Sequence, residues 1–332
     1  MIPVTILSLG GTILSRSGSS DPVPLARLHD DMIARQARGP GMEAVSFVEV
    51  ARLGSNALGF ADIRALAADI VTRHAEDPDQ AFVLVQGTDT LEETSFLLDL
   101  LLPRAIPLVV TGAMRTSDAL GADGPANLAD AIVAARAIAG RRPDGVVICM
   151  ASELHCAALV RKTDASRPGA FTSPGYGPLG YVSEGRCRLL LRAAAWPGPY
   201  VPQDRPRPLV GLLVLAFDTG LAELEALLTA PLDGLVVAGL GAGTTPPALD
   251  PLLAAAARRI PVVMATRSGQ GEVAAGTYVG AGTTHNLLIQ GVIAGGFLDP
   301  RKARILLTTL LWAGYSGDSL RKELTAWREL AV

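Results

Sequence analysis

The sequence is poor in the residues that anchor most specialised chemistries. Aromatic side chains make up only 5% of its 332 residues, so the core must be mostly Leu, Val, Ile and Ala, the composition of parallel strands covered by helices. Cysteine occurs three times, at Cys149, Cys156 and Cys187, without CxxC spacing. An odd, scattered set does not make a disulfide framework; it reads as idle thiols in a reducing, cytoplasmic compartment. The four histidines, His29, His74, His155 and His285, are dispersed, and no His/Cys cluster has metal-ligand spacing. No metal and no other cofactor is expected.

Charge of one sign is lacking as well. Twenty-nine basic against 32 acidic residues give a net charge of −3, which leaves no electrostatic footprint for nucleic acid. No basic run marks an anionic membrane surface, and no apolar stretch approaches the ~20 residues needed to span a bilayer. The opening Met1–Leu9 has no basic start and no small-residue cleavage site, so it reads as a first strand rather than a signal peptide. What remains is a chain 49% hydrophobic and 18% charged, which excludes disorder and suffices for two domains.

Short Val/Ile/Leu-rich runs alternate with helical patterns. Strands are expected at Val4–Leu9, Val45–Leu53, Ala81–Val85, Leu108–Thr111 and Val146–Met150. Between them, Ile63, Leu66, Ala67 and Ile70 share one face of a helix over Ile63–His74, and Leu91–Leu102 and Asn127–Ala139 are further helices. Residues Trp196 to Pro208 hold five prolines in thirteen positions, which blocks helix and ladder alike. They read as a linker (196–208) between an N-terminal domain (1–195) and a C-terminal one (209–332). Beyond it come strand Val210–Phe217, helix Leu221–Leu228, strand Gly234–Val237, helix Pro247–Arg258, strand Pro261–Ala265 and helix Pro300–Ala313. Leu320, Leu324 and Trp327 fall at helical spacing near the end. The fold class is α/β: a mainly parallel-sheet N-terminal domain plus a smaller α/β C-terminal domain.

Ligands of such sheets sit outside the carboxyl ends of the strands, so motifs just after strands carry most weight. Gly10-Gly11-Thr12-Ile13 follows the first strand and offers a sharp turn, close approach and a hydroxyl; an ordinary strand-exit turn reads the same way. It is not the dinucleotide fingerprint. Gln86-Gly87-Thr88-Asp89-Thr90 precedes the helix at Leu91. Thr90 with Glu93 fits a capping box, which makes Thr90 structural, while Thr88 and Asp89 can converge on a ligand. Thr111-Gly112-Ala113-Met114-Arg115 and Asp123-Gly124-Pro125-Ala126-Asn127-Leu128 read by default as a strand exit and a helix start. Arg161-Lys162-Thr163-Asp164 alone reads as a solvated loop.

Taken in order, and with Tyr176-Gly177-Pro178-Leu179-Gly180, Gly239-Leu240-Gly241 and Asp299-Pro300-Arg301-Lys302-Ala303-Arg304, these motifs resemble the bacterial-type L-asparaginase (asparaginase/glutaminase) family over essentially the whole chain. The resemblance implies a small-molecule amino-acid substrate and hydrolysis of L-asparagine to aspartate and ammonia through an acyl-threonine. Thr12 matches the nucleophile and Thr88 the second catalytic threonine. Asp89 matches the holder of the substrate amine, and Lys162 the lysine against that second threonine. Ser55 matches the residue that binds the α-carboxylate, Asn56 stands where glutamine is common, and Ala113 matches a carbonyl that receives the amide nitrogen. Gln86 replaces the usual histidine. The backbone N–H groups of Gly11 and Thr88 would face the oxyanion. A lysine serves as base only when neutral, and a paired carboxylate works against that, so proton transfer through Thr88, Asp89 and Lys162 during the reaction is the other course.

The chain departs further from the family at three more places. It has no tyrosine before Tyr176, so its flap candidate, Ser15–Pro24, offers only Arg16, Ser17 and Asp21 as polar groups. A common asparagine of the C-terminal glycine-rich turn is Ala242, and a glutamate donated by a neighbouring subunit matches Thr284. The family is a homotetramer of intimate dimers, and that assembly is the expectation here, with a reduced share in catalysis. The alternatives are a related amidase acting on glutamine or a D-amino acid amide, and a non-catalytic paralogue that binds aspartate or asparagine. A subunit of a transfer-RNA amidotransferase is disfavoured, since such subunits carry a further N-terminal domain.

Overall fold

The computed structural model describes residues 1–17, 44–140, 145–192 and 196–330. The chain divides into two compact units, Met1–Ala194 and Ala195–Val332. The first unit holds β1 (Val4–Ser8), β2 (Val45–Glu49), β3 (Ala81–Val85), β4 (Leu108–Thr111), β5 (Val147–Met150), β6 (Glu153–Cys156), β7 (Arg161–Lys162), β8 (Phe171–Thr172), β9 (Gly180–Ser183) and β10 (Arg186–Leu189). Eight of these form one sheet in the order β10-β9-β6-β5-β4-β3-β1-β2, and β7 pairs with β8 apart from it.

Strands β2, β1, β3, β4 and β5 run parallel, in register from Ser8 to Glu49 and to Val85, and from Val85 to Thr111. Every residue of β1, β3, β4 and β5 is buried, as strands covered on both faces must be. Helix Phe60–Glu76 buries the expected Ile63, Leu66, Ala67 and Ile70 face. It packs against helix Leu91–Leu101, while helix Gly124–Ala139 lies over β3 and β4.

The sheet is mixed: β6, β9 and β10 extend the parallel strands antiparallel. None of the three was legible as a strand. Each has four residues, and β10 is the edge strand Arg-Cys-Arg-Leu, whose exposed arginines hide a strand pattern while blunting the edge. The run expected to reach Leu53 stops at Glu49, yet Val50 and Leu53 still donate to Ser8 O and Leu9 O at 2.9 and 2.8 Å. The chain after β2 therefore stays beside the end of β1.

In the second unit β11 (Val210–Val214), β12 (Gly234–Gly239), β13 (Val262–Thr266) and β14 (Ile293–Ala294) form a parallel sheet in that order. Leu215, Leu235, Val237, Leu253, Met264 and Leu287 lie at its core. Helix Pro300–Trp312 packs on β11 and β12, started by Asp299, whose carboxylate accepts the Arg301 N–H at 2.9 Å. β11 stops short of the expected Phe217, which is 97% exposed. The proline-rich segment packs within this unit. Trp196 stacks on Trp327 at 5.5 Å, and Tyr200 donates to Glu323 at 2.6 Å while accepting the Trp327 indole N–H at 2.8 Å. Burial, then Glu323, pushes the Tyr200 phenol far up, so it stays protonated.

Candidate active site

Because β2, β1, β3 and β4 are parallel, their four exits emerge at one end of the sheet. They deliver, in that order across the sheet, Ser55, Thr12, Thr88 with Asp89, and Ala113. How closely they meet is set by glycine. Gly11 has φ +102°, and a Cβ there would lie 2.3 Å from the Gly87 nitrogen. A Cβ on Gly87 would lie 2.6 Å from Ser55 Oγ. The exits of β1 and β3 thus meet backbone to backbone at Gly11 and Gly87, and the Ser55 side chain packs on Gly87.

Ser55 and Asp89 lock these tips together. The Ser55 hydroxyl donates to Asp89 Oδ2 at 3.2 Å and accepts the Asp89 N–H at 3.1 Å. Thr90 begins the helix as expected but has no side-chain cap bond; its hydroxyl donates to Ser55 O at 2.8 Å. The expected Thr90–Glu93 capping box is not made, because Ser55 O captures the hydroxyl first. Asn56 lies next to this cluster and is exposed. Gln86 is fully buried, accepts the Thr94 hydroxyl at 2.9 Å and donates to Gly87 O at 3.3 Å, so it braces the turn from beneath.

Lys162 enters from β7. Its Nζ donates to Thr88 Oγ1 at 2.9 Å and lies 3.7 Å from Asp89 Oδ1. The lysine side chain is 18% exposed and that of Asp89 65%, so the ammonium is sheltered while the carboxylate opens to solvent. The Lys162 N–H donates to Glu92 Oε2 at 2.5 Å. Glu92 was not legible as a site residue: among charges at the head of a helix nothing marks the one that turns inward. Asp164, the end of the same tetrapeptide, is spent locally. It accepts the N–H groups of Ser166 and Arg167, and these hold its carboxyl well below the usual range.

On the other side, Asp123 and Asn127 organise the loop that carries buried Ala113. Asp123 accepts the Met114 and Arg115 N–H groups, both at 2.9 Å, and Asn127 donates to Gly112 O at 3.0 Å. Asn127 also accepts the N–H of Ala151, which has positive φ, as does Ser152 beside it. The Asp-Gly-Pro-x-Asn motif is therefore more than a helix start. The expected flap Ser15–Pro24 is described only as far as Ser17. Arg16 is exposed, Ser17 is bonded to Asp118, and Asp21 lies outside the described residues.

Thr12 is half-buried, and its hydroxyl has no hydrogen-bond partner among the described residues. The N–H groups of Gly11 and Thr88 likewise find no acceptor there. These groups are available to a ligand oxygen. Among the described residues no cluster of His, Cys, Asp or Glu is placed to hold a metal, and no helix is long and apolar enough to cross a membrane. In the second unit, Thr284 is buried and donates to Gly243 O at 2.7 Å, and Ala242 O accepts the Ala274 N–H at 2.9 Å.

Comparison with known proteins places both units in one family. Residues 3–194 match the family described as Asparaginase, N-terminal, and residues 210–324 the Glutaminase/Asparaginase C-terminal domain. The chain is 38% identical to a probable L-asparaginase of Deinococcus radiodurans over 252 residues, 74% of this chain and 75% of that protein. It is 31% identical to L-asparaginase 2 of Escherichia coli over 324 residues, 93% of this chain and 88% of that one. Among solved structures, a probable cytoplasmic L-asparaginase from Campylobacter jejuni matches with a TM-score of 0.81 at 26% identity, covering 98% of this chain and 99% of that chain.

Proposed function

The chain belongs to the asparaginase family, and from that premise we propose that it hydrolyses L-asparagine to L-aspartate and ammonia with Thr12 as nucleophile. The observation that carries the reading is the tight approach of Gly11 to Gly87, which brings the exit that bears Thr12 up to the exit that bears Thr88, itself bonded to Lys162.

Thr12 Oγ1 attacks the carboxamide carbon, and the carbonyl π pair moves to oxygen. The Gly11 and Thr88 N–H groups meet the resulting oxyanion. The hydroxyl proton passes by way of Thr88 to the departing nitrogen as the C–N bond breaks. Lys162 Nζ donates to Thr88 Oγ1, so it meets negative charge that gathers there and leaves the Thr88 hydrogen free to point at the substrate. Ammonia leaves an acyl ester on Thr12. Water then attacks that ester by the same path in reverse and releases aspartate. Asp89 holds the substrate amine, and Ser55 with Asn56 receives its α-carboxylate; the Ser55 hydroxyl keeps the Asp89 N–H and turns its one proton from Asp89 Oδ2 to the substrate. The Ala113 carbonyl receives the amide nitrogen.

The reading extends to a cytoplasmic protein assembled as a homotetramer of dimers. None of Cys149, Cys156 and Cys187 is in a disulfide, which suits a reducing compartment. Exposed Phe217, Val279 and Ile289 are side chains an assembly would cover.

Ammonia release from L-asparagine, L-glutamine and D-asparagine tests the substrate. L-asparagine is expected to be turned over best; a better rate on either other amide would move the assignment to a related amidase. Thr12→Ala should lower kcat by about 10³-fold or more and Lys162→Met by about 10²-fold, since each removes a group that acts only in the transition state. Aspartate binding without turnover by the unmodified chain would make it a binding protein instead.

A further inference from the structure

The residues that hold Thr12 in place reach beyond the strand exit that carries it. Thr12 opens a short turn closed by the Leu14 N–H on Gly11 O and the Ser15 N–H on Thr12 O, both at 3.0 Å, and by the Ser15 hydroxyl on Gly11 O at 3.1 Å. The end of this turn is gripped by the loop leaving β4. Ser117 donates twice to Ser15 O, from its N–H at 2.9 Å and its hydroxyl at 2.8 Å. Two residues on, both Asp118 carboxylate oxygens accept the Ser17 N–H, at 3.0 and 3.1 Å, and Asp118 Oδ1 accepts the Ser17 hydroxyl at 3.2 Å. Thr116 Oγ1 adds a contact of 2.9 Å with Ser17 Oγ.

Asp118 and Ser17 are both exposed, so core packing does not account for their meeting across 101 residues of sequence. Hydrogen bonds to an ionised acceptor are roughly twice as strong as neutral ones. The Ser17 N–H, then the Thr116 hydroxyl, holds the Asp118 carboxyl below its ordinary value, in keeping with that contact. The same loop carries Ala113, fixed by Asp123 and Asn127. One loop therefore sets both the amide-nitrogen side of the site and the far end of the Thr12 turn.

The geometry points to Asp118 and Ser117 as positioning residues for Thr12, a polar latch that holds its turn against the Ala113 loop. The inference rests on Thr12 being the nucleophile. Neither residue touches substrate. Their effect is on how much of the time Thr12 Oγ1 stands in line for attack, and small misplacements of a reacting atom are costly. The latch should therefore act on kcat and leave KM, set by Ser55 and Asp89, nearly alone.

The test compares Asp118→Ala, Asp118→Asn and Ser117→Ala with Thr12→Ala in the full chain, reading kcat, KM for L-asparagine and Tm. Asp118→Ala is expected to lose about 10-fold in kcat with KM within about 2-fold, as for an interaction felt only in the transition state. Tm should move by no more than about 2 °C, because the contact is exposed. Asp118→Asn keeps an oxygen for the Ser17 N–H and should return to within about 3-fold of the parent kcat. Ser117→Ala keeps its N–H bond and should lose less than Asp118→Ala. An unchanged kcat in Asp118→Ala beside an inactive Thr12→Ala overturns the latch and leaves the nucleophile standing. An Asp118→Ala loss that comes with a matching fall in Tm, or as a rise in KM, also overturns it. An active Thr12→Ala removes both readings.

Discussion

The two units both end parallel strands in glycine- and threonine-rich turns, yet one threonine of the first unit is treated differently from its counterparts in the second. In the second unit five such hydroxyls are spent at home. Thr244 donates to Leu240 O, Thr266 and Ser268 to Gly241 O, Thr245 to Asp250 and Thr284 to Gly243 O. In the first unit Thr12 donates to nothing among the described residues, and the N–H groups around it are open as well. A threonine beside glycines is thus no sign of chemistry by itself. A site differs from a turn in the hydrogen bonds it leaves for a ligand to make.

Three changes would break or sharpen that contrast, taken from the largest effect to the smallest. Gly11→Ala should do most harm. Its Cβ would meet the Gly87 backbone at 2.3 Å, and φ is +102° there, so the tips of β1 and β3 must part. A loss of about 100-fold or more in kcat is expected, with about 2–4 kcal/mol of stability lost to backbone strain and overpacking. Denaturant unfolding and steady-state kinetics check both; near-normal activity would mean that close contact of the tips is not required.

Thr284→Ala is the mirror experiment. It removes a satisfied hydroxyl and strips one bond from Gly243 O. About 1–2 kcal/mol of stability should go, with kcat within about 2-fold of the parent. A large loss of activity would instead make Thr284 part of a site and dissolve the contrast between the units. Smallest is Tyr200→Phe, which takes one hydroxyl from the Glu323–Tyr200–Trp327 chain. Unfolding should become easier by about 1 kcal/mol, and catalysis should be unaffected.

How far the chain could be read from its residues follows the strength of each local signal. β3, β4 and helix Leu221–Leu228 fall where their apolar patterns placed them, because buried strands and amphipathic helices write their period into the sequence. β6, β9, β10 and the six-residue helix Thr284–Ile289 do not: β6 carries Glu153 and His155 among its four residues, β9 and β10 alternate too briefly to show a period, and the helix buries only Thr284 and Leu287. Among the candidate residues, Thr12, Ser55, Thr88, Asp89, Ala113 and Lys162 stood in motifs with a family resemblance. Glu92, Ser117 and Asp118 did not stand out, being ordinary polar residues whose partners lie 70 to 102 positions away.

Strand exits, glycines and the order of the motifs belong to the sequence alone, because they depend on residues adjacent in the chain. Which hydroxyl is left unpartnered, which carboxylate turns inward to Lys162 and which loop grips the Thr12 turn were decided only by the tertiary structure. Those outcomes depend on which groups reach each acceptor first, and that competition takes place across strands that neighbour one another in the sheet but not in the chain.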